Sequence, residues 1–260
     1  MDNNRSQRIR MPGSFCSSAL LCLSLVFPAF AFTDSEISSL QKEIGEKPIG
    51  ERIAFWAERF VGAPYDPDVL GEYVTKRVIV ADERVDCMYH AFRSLELALG
   101  RTPEDAVSMA LDKRFIGRGI LQNGYVRNYE DRFQYGEDML DSSKWGREIT
   151  EDLGPVSYIR GSRGRERTAM ISQKSLIGIL KAKKRSPLRS GDIIFFVKAP
   201  DKRVSDEIVG HIGIIKMEGN TPYLVHASGK KNGEGKVKKV LFSDYVKAMS
   251  FAGARVSRFQ

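Results

Sequence analysis

The chain has 260 residues, 42% of them hydrophobic and 28% charged, enough for a sizeable core in one large domain or two small ones. That composition excludes a disordered chain, a collagen-like repeat and a polytopic membrane protein. The formal charge of +8 admits anionic partners without identifying one.

Arg5, Arg8 and Arg10 precede an apolar stretch from Phe15 to Phe32 containing Ala29-Phe30-Ala31, the small-x-small pattern of a signal-peptidase site. Residues 1–31 are therefore predicted to be a cleaved signal peptide. The protein is then periplasmic or secreted, with no stable membrane span after processing. The other reading is an uncleaved anchor helix, interrupted by Pro28. Cys16 and Cys22 fall in the leader, so the exported chain keeps only Cys87 and cannot close an internal disulfide. A lone thiol in an oxidising compartment is either functional or buried and inert.

From Ser35 to about Phe60 the pattern is helical, with Ile49, Ile53, Trp56 and Phe60 on one face. Gly62-Ala63-Pro64-Tyr65-Asp66-Pro67 ends it. Thr75 to Val80 alternates weakly and reads as a short strand. A second helix starts at Asp86, a good N-cap, and stops at Gly100, with Met88, Ala91, Phe92, Leu95 and Leu99 as its buried stripe. Thr102-Pro103-Glu104-Asp105 carries the start signals of another.

Residues from about 115 to 190 mix aromatics, glycines and charges without a sustained period, and read as an irregular insertion with short helices. Its basic clusters, Arg160 to Arg167 and Lys181 to Arg185, are a solvated surface or a groove for an anionic ligand. They lack the interleaved aromatics of a nucleic-acid site. The last third reads as strands: Ile193 to Lys198, His211 to Met217, Tyr223 to Ser228, Val237 to Phe242, and Ala254 to Phe259 closing the sheet. Helices first and an antiparallel sheet afterwards predict one α+β domain over residues 32–260.

Cys87 falls in the first turn of a helix, where backbone N–H groups and the helix dipole favour an anion, so its thiolate is expected to form easily. The histidines are His90, His211 and His226. With a turn near Gly219, His211 stands opposite residues 226 to 228 and both imidazoles project from one face. A cysteine, a histidine base and a polar group fixing its tautomer are what acyl transfer through a thioester requires. The same three side chains would also make a zinc site. His90, one turn after Cys87, reads as a packing or solvent-facing residue.

Asp86-Cys87, Gly191-Asp192-Ile193-Ile194-Phe195, His211-Ile212-Gly213-Ile214 and Leu224-Val225-His226-Ala227-Ser228 occur in an order and spacing that resembles the NlpC-type, papain-like cell-wall cysteine peptidases. Gly62-Ala63-Pro64-Tyr65 is similar to their Gly-x-Pro-Tyr element. The wide Tyr65–Cys87 spacing, Asp131-Arg132-Phe133-Gln134-Tyr135, the segment Arg147 to Gly154 and the tail from Lys238 through Tyr245 to Arg258 resemble the N-acetylmuramoyl-L-alanine amidase-like branch.

The resemblance implies a papain-like fold, with N-terminal helices packed on the C-terminal sheet. It makes Cys87 the nucleophile, His211 the base and His226 its orienting partner. It places Tyr65 beside the thiol and makes Asp86, Arg132, Tyr135 and Ser228 the further substrate contacts. The implied substrate is peptidoglycan or its muropeptides, with no metal or other cofactor. The bond is that between the muramic-acid lactyl group and L-alanine, or alternatively one inside the stem peptide. Met88-Tyr89-His90 departs from the small residues usual after the Asp-Cys pair and is expected to reshape the pocket. A cell-wall binder without catalysis is the rival from another class.

Overall fold

The computed structural model describes residues 31–182, 186–229 and 234–260. The predicted leader, up to residue 30, and residues 183–185 of the second basic cluster lie outside the described residues.

The expected N-terminal helix is two. α1 (Asp34–Ile44) starts in a Thr33/Glu36 capping box and ends at Gly45, and α2 (Ile49–Arg59) restarts after Pro48. Ile53, Trp56 and Phe60 face the core as the spacing predicts. Thr75 to Val80 is not a strand. Thr75 ends a one-turn helix, α3 (Glu72–Thr75), and Arg77 adopts a left-handed φ of 56°, which breaks any extended run.

α4 (Cys87–Leu99) begins at the predicted cap, Asp86, whose side chain accepts from the Tyr89 N–H at 2.6 Å. Its burial departs from a single stripe. Every residue from Tyr89 to Ala98 is buried, whereas Met88 and Leu99 are only partly so. The helix is enclosed by α1, α2, α5 (Pro103–Lys113) and the sheet. Its buried charges therefore need partners inside the protein. Arg93 pairs with Asp82 at 3.0 Å, and Glu96 takes both prongs of Arg114 at 2.6 and 2.7 Å.

The insertion is more ordered than its sequence suggests. A hairpin, β1 (Leu121–Gln122) and β2 (Tyr125–Val126), turns through Asn123-Gly124, both at positive φ. Then come α6 (Gly136–Asp141), β3 (Arg147–Glu148), α7 (Thr150–Leu153), β4 (Ser157–Arg160), β5 (Arg167–Ser172) and α8 (Gln173–Lys181). Three of these strands join the main sheet.

That sheet is antiparallel and ordered β4-β5-β10-β6-β7-β8-β9, with β3 also pairing β10. Its later members are β6 (Ile193–Val197), β7 (Val209–Glu218), β8 (Thr221–Gly229), β9 (Gly235–Leu241) and β10 (Gly253–Arg258), with α9 (Phe242–Ala248) between the last two. The final strand does not close an edge. It lies between β5 and β6, pairing Ala254 with Ile171 and with Phe196.

The sheet is covered on both faces. Ile193, Phe195, Ile212 and Ile214 face the core with α1, α2, α4 and α5, while Ile194, Phe196, Ile215 and Leu224 face a second core with α8 and α9. The chain is thus α+β as predicted, but with helices on both sides. Among the described residues no helix is long and apolar enough to cross a membrane.

Candidate active site

The loop that ends α2 brings Tyr65 to the start of α4. Pro64 bridges to Lys236, the Tyr65 N–H donates to the Gly235 carbonyl at 3.0 Å, and Tyr65 bridges in parallel to Val85. Its ring lies against the Gly229 backbone so closely that a Cβ there would sit 2.5 Å from it. Asp86 follows with extended backbone, and Cys87 opens the helix.

The Cys87 thiol is half-buried, and the backbone N–H dipoles of Ile212, Cys87 itself and Met88 act on it. Those dipoles favour the thiolate, as the helix position predicts. Desolvation and the neighbouring Asp86 carboxylate outweigh them, and the thiol is pushed up to about 12. This corrects the expectation of easy ionisation. Burial likewise pushes the Asp86 carboxyl up to about 6.

The hairpin supplies the imidazoles. β7 and β8 pair from Glu218↔Thr221 to Ile214↔Val225, a register that sets His211 opposite the end of β8 as expected. His211 Nε2 lies 2.8 Å from His226 Nδ1. His211 is walled by aromatic rings, with Phe196 and Phe251 stacked at 5.8 and 6.3 Å, and Tyr245 meets His226 edge-on at 4.9 Å. Burial, then the proximity of His226 and His90, pushes His211 down to about 3. Burial, then His90 and Lys238, takes His226 down to about 4. Both rings are neutral at neutral pH, so the contact between them is one N–H···N hydrogen bond.

Two clefts of about 410 and 400 Å³ meet at Gly210 and His211. The first is lined by Asp86, Cys87, Met88, Arg132 and Tyr135, and the second by Tyr65, His226, Ser228, Tyr245 and Phe251. Each of the eight predicted site residues thus borders one of two clefts that share Gly210 and His211. Arg132 is steadied by the Tyr129 carbonyl at 3.0 Å, and the Arg163 guanidinium covers the Tyr135 ring at 3.6 Å. Of Met88-Tyr89-His90, only Met88 reaches the cleft. Tyr89 donates to Asp82 at 2.7 Å inside the core, and His90 Nε2 lies 3.1 Å from the Ala57 carbonyl, fully buried.

Sequence reasoning named Tyr245 only as part of the C-terminal tail, and did not single out Phe251, Phe196 or Gly210. A glycine just before a strand histidine is a visible bulge signal. Nothing local marks the three aromatics. A larger cavity of about 910 Å³, bordered by Pro48 to Glu51 and by Arg258 to Gln260, contains no cysteine or histidine. Among the described residues no group of three or more His, Cys, Asp or Glu side chains is disposed to hold a metal ion.

No family model and no curated protein matches the chain. Solved structures do resemble it. An N-acetylmuramoyl-L-alanine amidase from Bacteroides uniformis superposes with a TM-score of 0.59 at 18% identity, over 80% of this chain and 97% of the amidase. A second crystal structure of an amidase of that name and organism gives 0.60 at the same identity and coverage. A Legionella pneumophila protein of family model DUF1460 gives 0.62 at 18% identity, over 86% of this chain and 93% of its own. The likeness is one of fold.

Proposed function

We propose that this chain is an exported, cysteine-dependent hydrolase of peptidoglycan or its muropeptides, cutting the N-acetylmuramoyl-L-alanine amide. The observation that carries the reading is that Cys87 and His211 border one cleft while His226 holds His211 at 2.8 Å. The amidase-like fold of the solved neighbours supports the substrate class.

A thiol at about 12 and an imidazole at about 3 do not rest as an ion pair, so proton transfer accompanies attack. When His211 Nε2–H donates to His226 Nδ1, His211 Nδ1 is left as the base. It takes the Cys87 proton as sulfur bonds to the lactyl carbonyl carbon. The imidazolium then protonates the L-alanine nitrogen, the C–N bond breaks, and a thioester remains. Water, deprotonated by His211, releases the lactyl carboxylate and restores the thiol. Tyr65 keeps its phenolic proton, because burial and the surrounding anionic groups raise its pKa. It serves, with the Cys87 N–H, as donor to the tetrahedral oxyanion.

The test is mass spectrometry of defined muropeptides incubated with the mature protein, beside Cys87→Ala. Release of an intact stem peptide, absent from the variant and blocked by iodoacetamide but not EDTA, is expected. A shortened stem would keep the mechanism and move the cut into the peptide. Binding without product from either protein would make this a cell-wall binder, and loss of activity with EDTA would favour the zinc arrangement.

A further inference from the structure

His211 follows an irregularity in its strand. On β6 and β7, Phe196 pairs with His211 but Val197 pairs with Val209. Gly210 is therefore an extra residue, and the ladder carries a bulge immediately before the histidine. Side chains alternate along a strand, so one inserted residue exchanges the faces of everything beyond it. The core contacts show this, with Val209 on the same face as Ile212 and Ile214. The residues exchanged are those before it: the regular pairing of 193–196 with 214–211 already sets His211 on the face of Phe196, Tyr245 and His226, and without the bulge Val209 would share that face. With it, Val209 turns to the helical core and leaves that face to His211.

A bulge leaves backbone groups outside the ladder, and here one side chain collects them. The Glu137 carboxylate, on α6, is fully buried. Its Oε1 accepts the Ile208 N–H at 3.1 Å and its Oε2 the Val209 N–H at 3.0 Å. Consecutive N–H groups in a regular strand point in opposite directions, so two on one carboxylate require the distorted backbone. Gly136 packs directly on Val209, where a Cβ would lie 2.6 Å from the valine side chain. Arg163 stands 3.6 Å from Glu137 and covers Tyr135, so the buried charge has a cation within reach. The mechanism uses none of these groups, yet burying a carboxylate costs several kcal/mol unless it is hydrogen-bonded and paired.

We propose that Glu137 is a positioning residue that clamps the bulge at Gly210, keeps Val209 off the face of His211 and fixes the backbone from which the imidazole enters the cleft it shares with Cys87. The proposal rests on the hydrolase reading for its catalytic consequence, but the placement of His211 is measurable without substrate.

The experiment compares wild type with Glu137→Gln, in which the amide nitrogen faces a strand N–H it cannot accept. Alkylation of Cys87 by iodoacetamide, assisted by a correctly placed base, is expected to slow by about tenfold in a folded variant. On muropeptides, kcat should fall on the order of 100-fold with KM within about twofold. Glu137→Asp keeps the buried charge but is a methylene short of the strand, and the same losses are expected. Either variant, folded by circular dichroism and alkylated at the wild-type rate, overturns the proposal. Should both fail to fold, hydrogen exchange of the wild-type protein decides: Ile208 and Val209 amides must be protected, and fast exchange at both overturns it. If no muropeptide is cut by wild type while Glu137→Gln still slows alkylation, the amidase reading fails and the clamp stands.

Discussion

Asp86 caps the helix that begins with Cys87 at an energetic cost, and removing its charge should stabilise the protein. Burial lifts its carboxyl from 3.8 to about 6, while the unfolded chain titrates near the ordinary value. Between those pH values the folded state keeps a proton that the unfolded state has released. Stability therefore declines as pH rises through that window, and the full penalty persists above it. About two pH units at about 1.4 kcal/mol each give at most about 3 kcal/mol. Asp86 is half-buried at the cleft, so solvent screening reduces this to about 1–2 kcal/mol. Asn caps helices as well as Asp does and keeps an acceptor for the Tyr89 N–H. Asp86→Asn should therefore raise the melting temperature at pH 8 by about 3–6 °C, with the gain vanishing by about pH 4. The same substitution leaves desolvation in place but removes the charge that adds to it in holding the Cys87 thiol up, so alkylation at pH 8 should accelerate. A variant no more stable than wild type at pH 8, or one equally stabilised at pH 4, would refute the reasoning.

Three further outcomes follow from the same geometry. Glu96→Ala strands the Arg114 guanidinium among Tyr73, Tyr89 and Phe92, and denaturant unfolding should show a loss of about 3–5 kcal/mol. The double change Glu96→Leu with Arg114→Met should recover most of it, and an equal loss in both variants would discount the pair. Gly213→Ala puts a methyl 2.6 Å from Leu224 Cδ1 and 3.2 Å from His226 Cβ. A stability cost of about 1–3 kcal/mol should accompany a kcat loss larger than the KM change, whereas wild-type turnover would mean that His226 need not be held. In the proposed mechanism His211 acts unprotonated, and burial pushes it down to about 3, so activity should survive acidification until the pH nears that value. A kcat/KM limb at the ordinary histidine pKa, about 6.5, would show that the ring is less shielded than its aromatic walls imply.

What was legible in the sequence is what local physics decides. Asp86 and Thr102 cap the helices they announce, and the turn at Gly219 fixes a register that sets both imidazoles on one face. Thr75 to Val80 misled because it is rich in β-branched residues (Thr75, Val78, Ile79 and Val80), while Tyr73 and Val74 are drawn into the core by a helical turn. α4 misled differently. A one-stripe pattern describes a helix with a wet side, but here His90, Arg93, Ser94 and Glu96 are buried by neighbours whose arrival no local window contains. The placement of β10 inside the sheet depends on partners far along the chain, Ile171 among them. The thiol's resistance to ionisation escaped for a similar reason, since the helix N-terminus is local and the desolvation is not.

The insertion is where these non-local terms gather, and it bears on both halves of the site. Arg114, at its start, neutralises Glu96 in the middle of the helix that begins with Cys87. Glu137, inside it, fixes the two residues that lead into the bulge before His211. Arg132 and Tyr135 stand between those anchors and line the cleft. The helix that begins with Cys87 and the strand that carries His211 are thus each tied by a fully buried charged side chain to the same stretch. Buried ionic contacts are weak as sources of stability but exacting about geometry, because a displaced partner leaves a charge uncompensated. A segment without periodicity therefore has a strict structural task. Its polar residues are read from the chain as surface, and in the fold they anchor the helix of Cys87 and the strand of His211 on either side of one cleft.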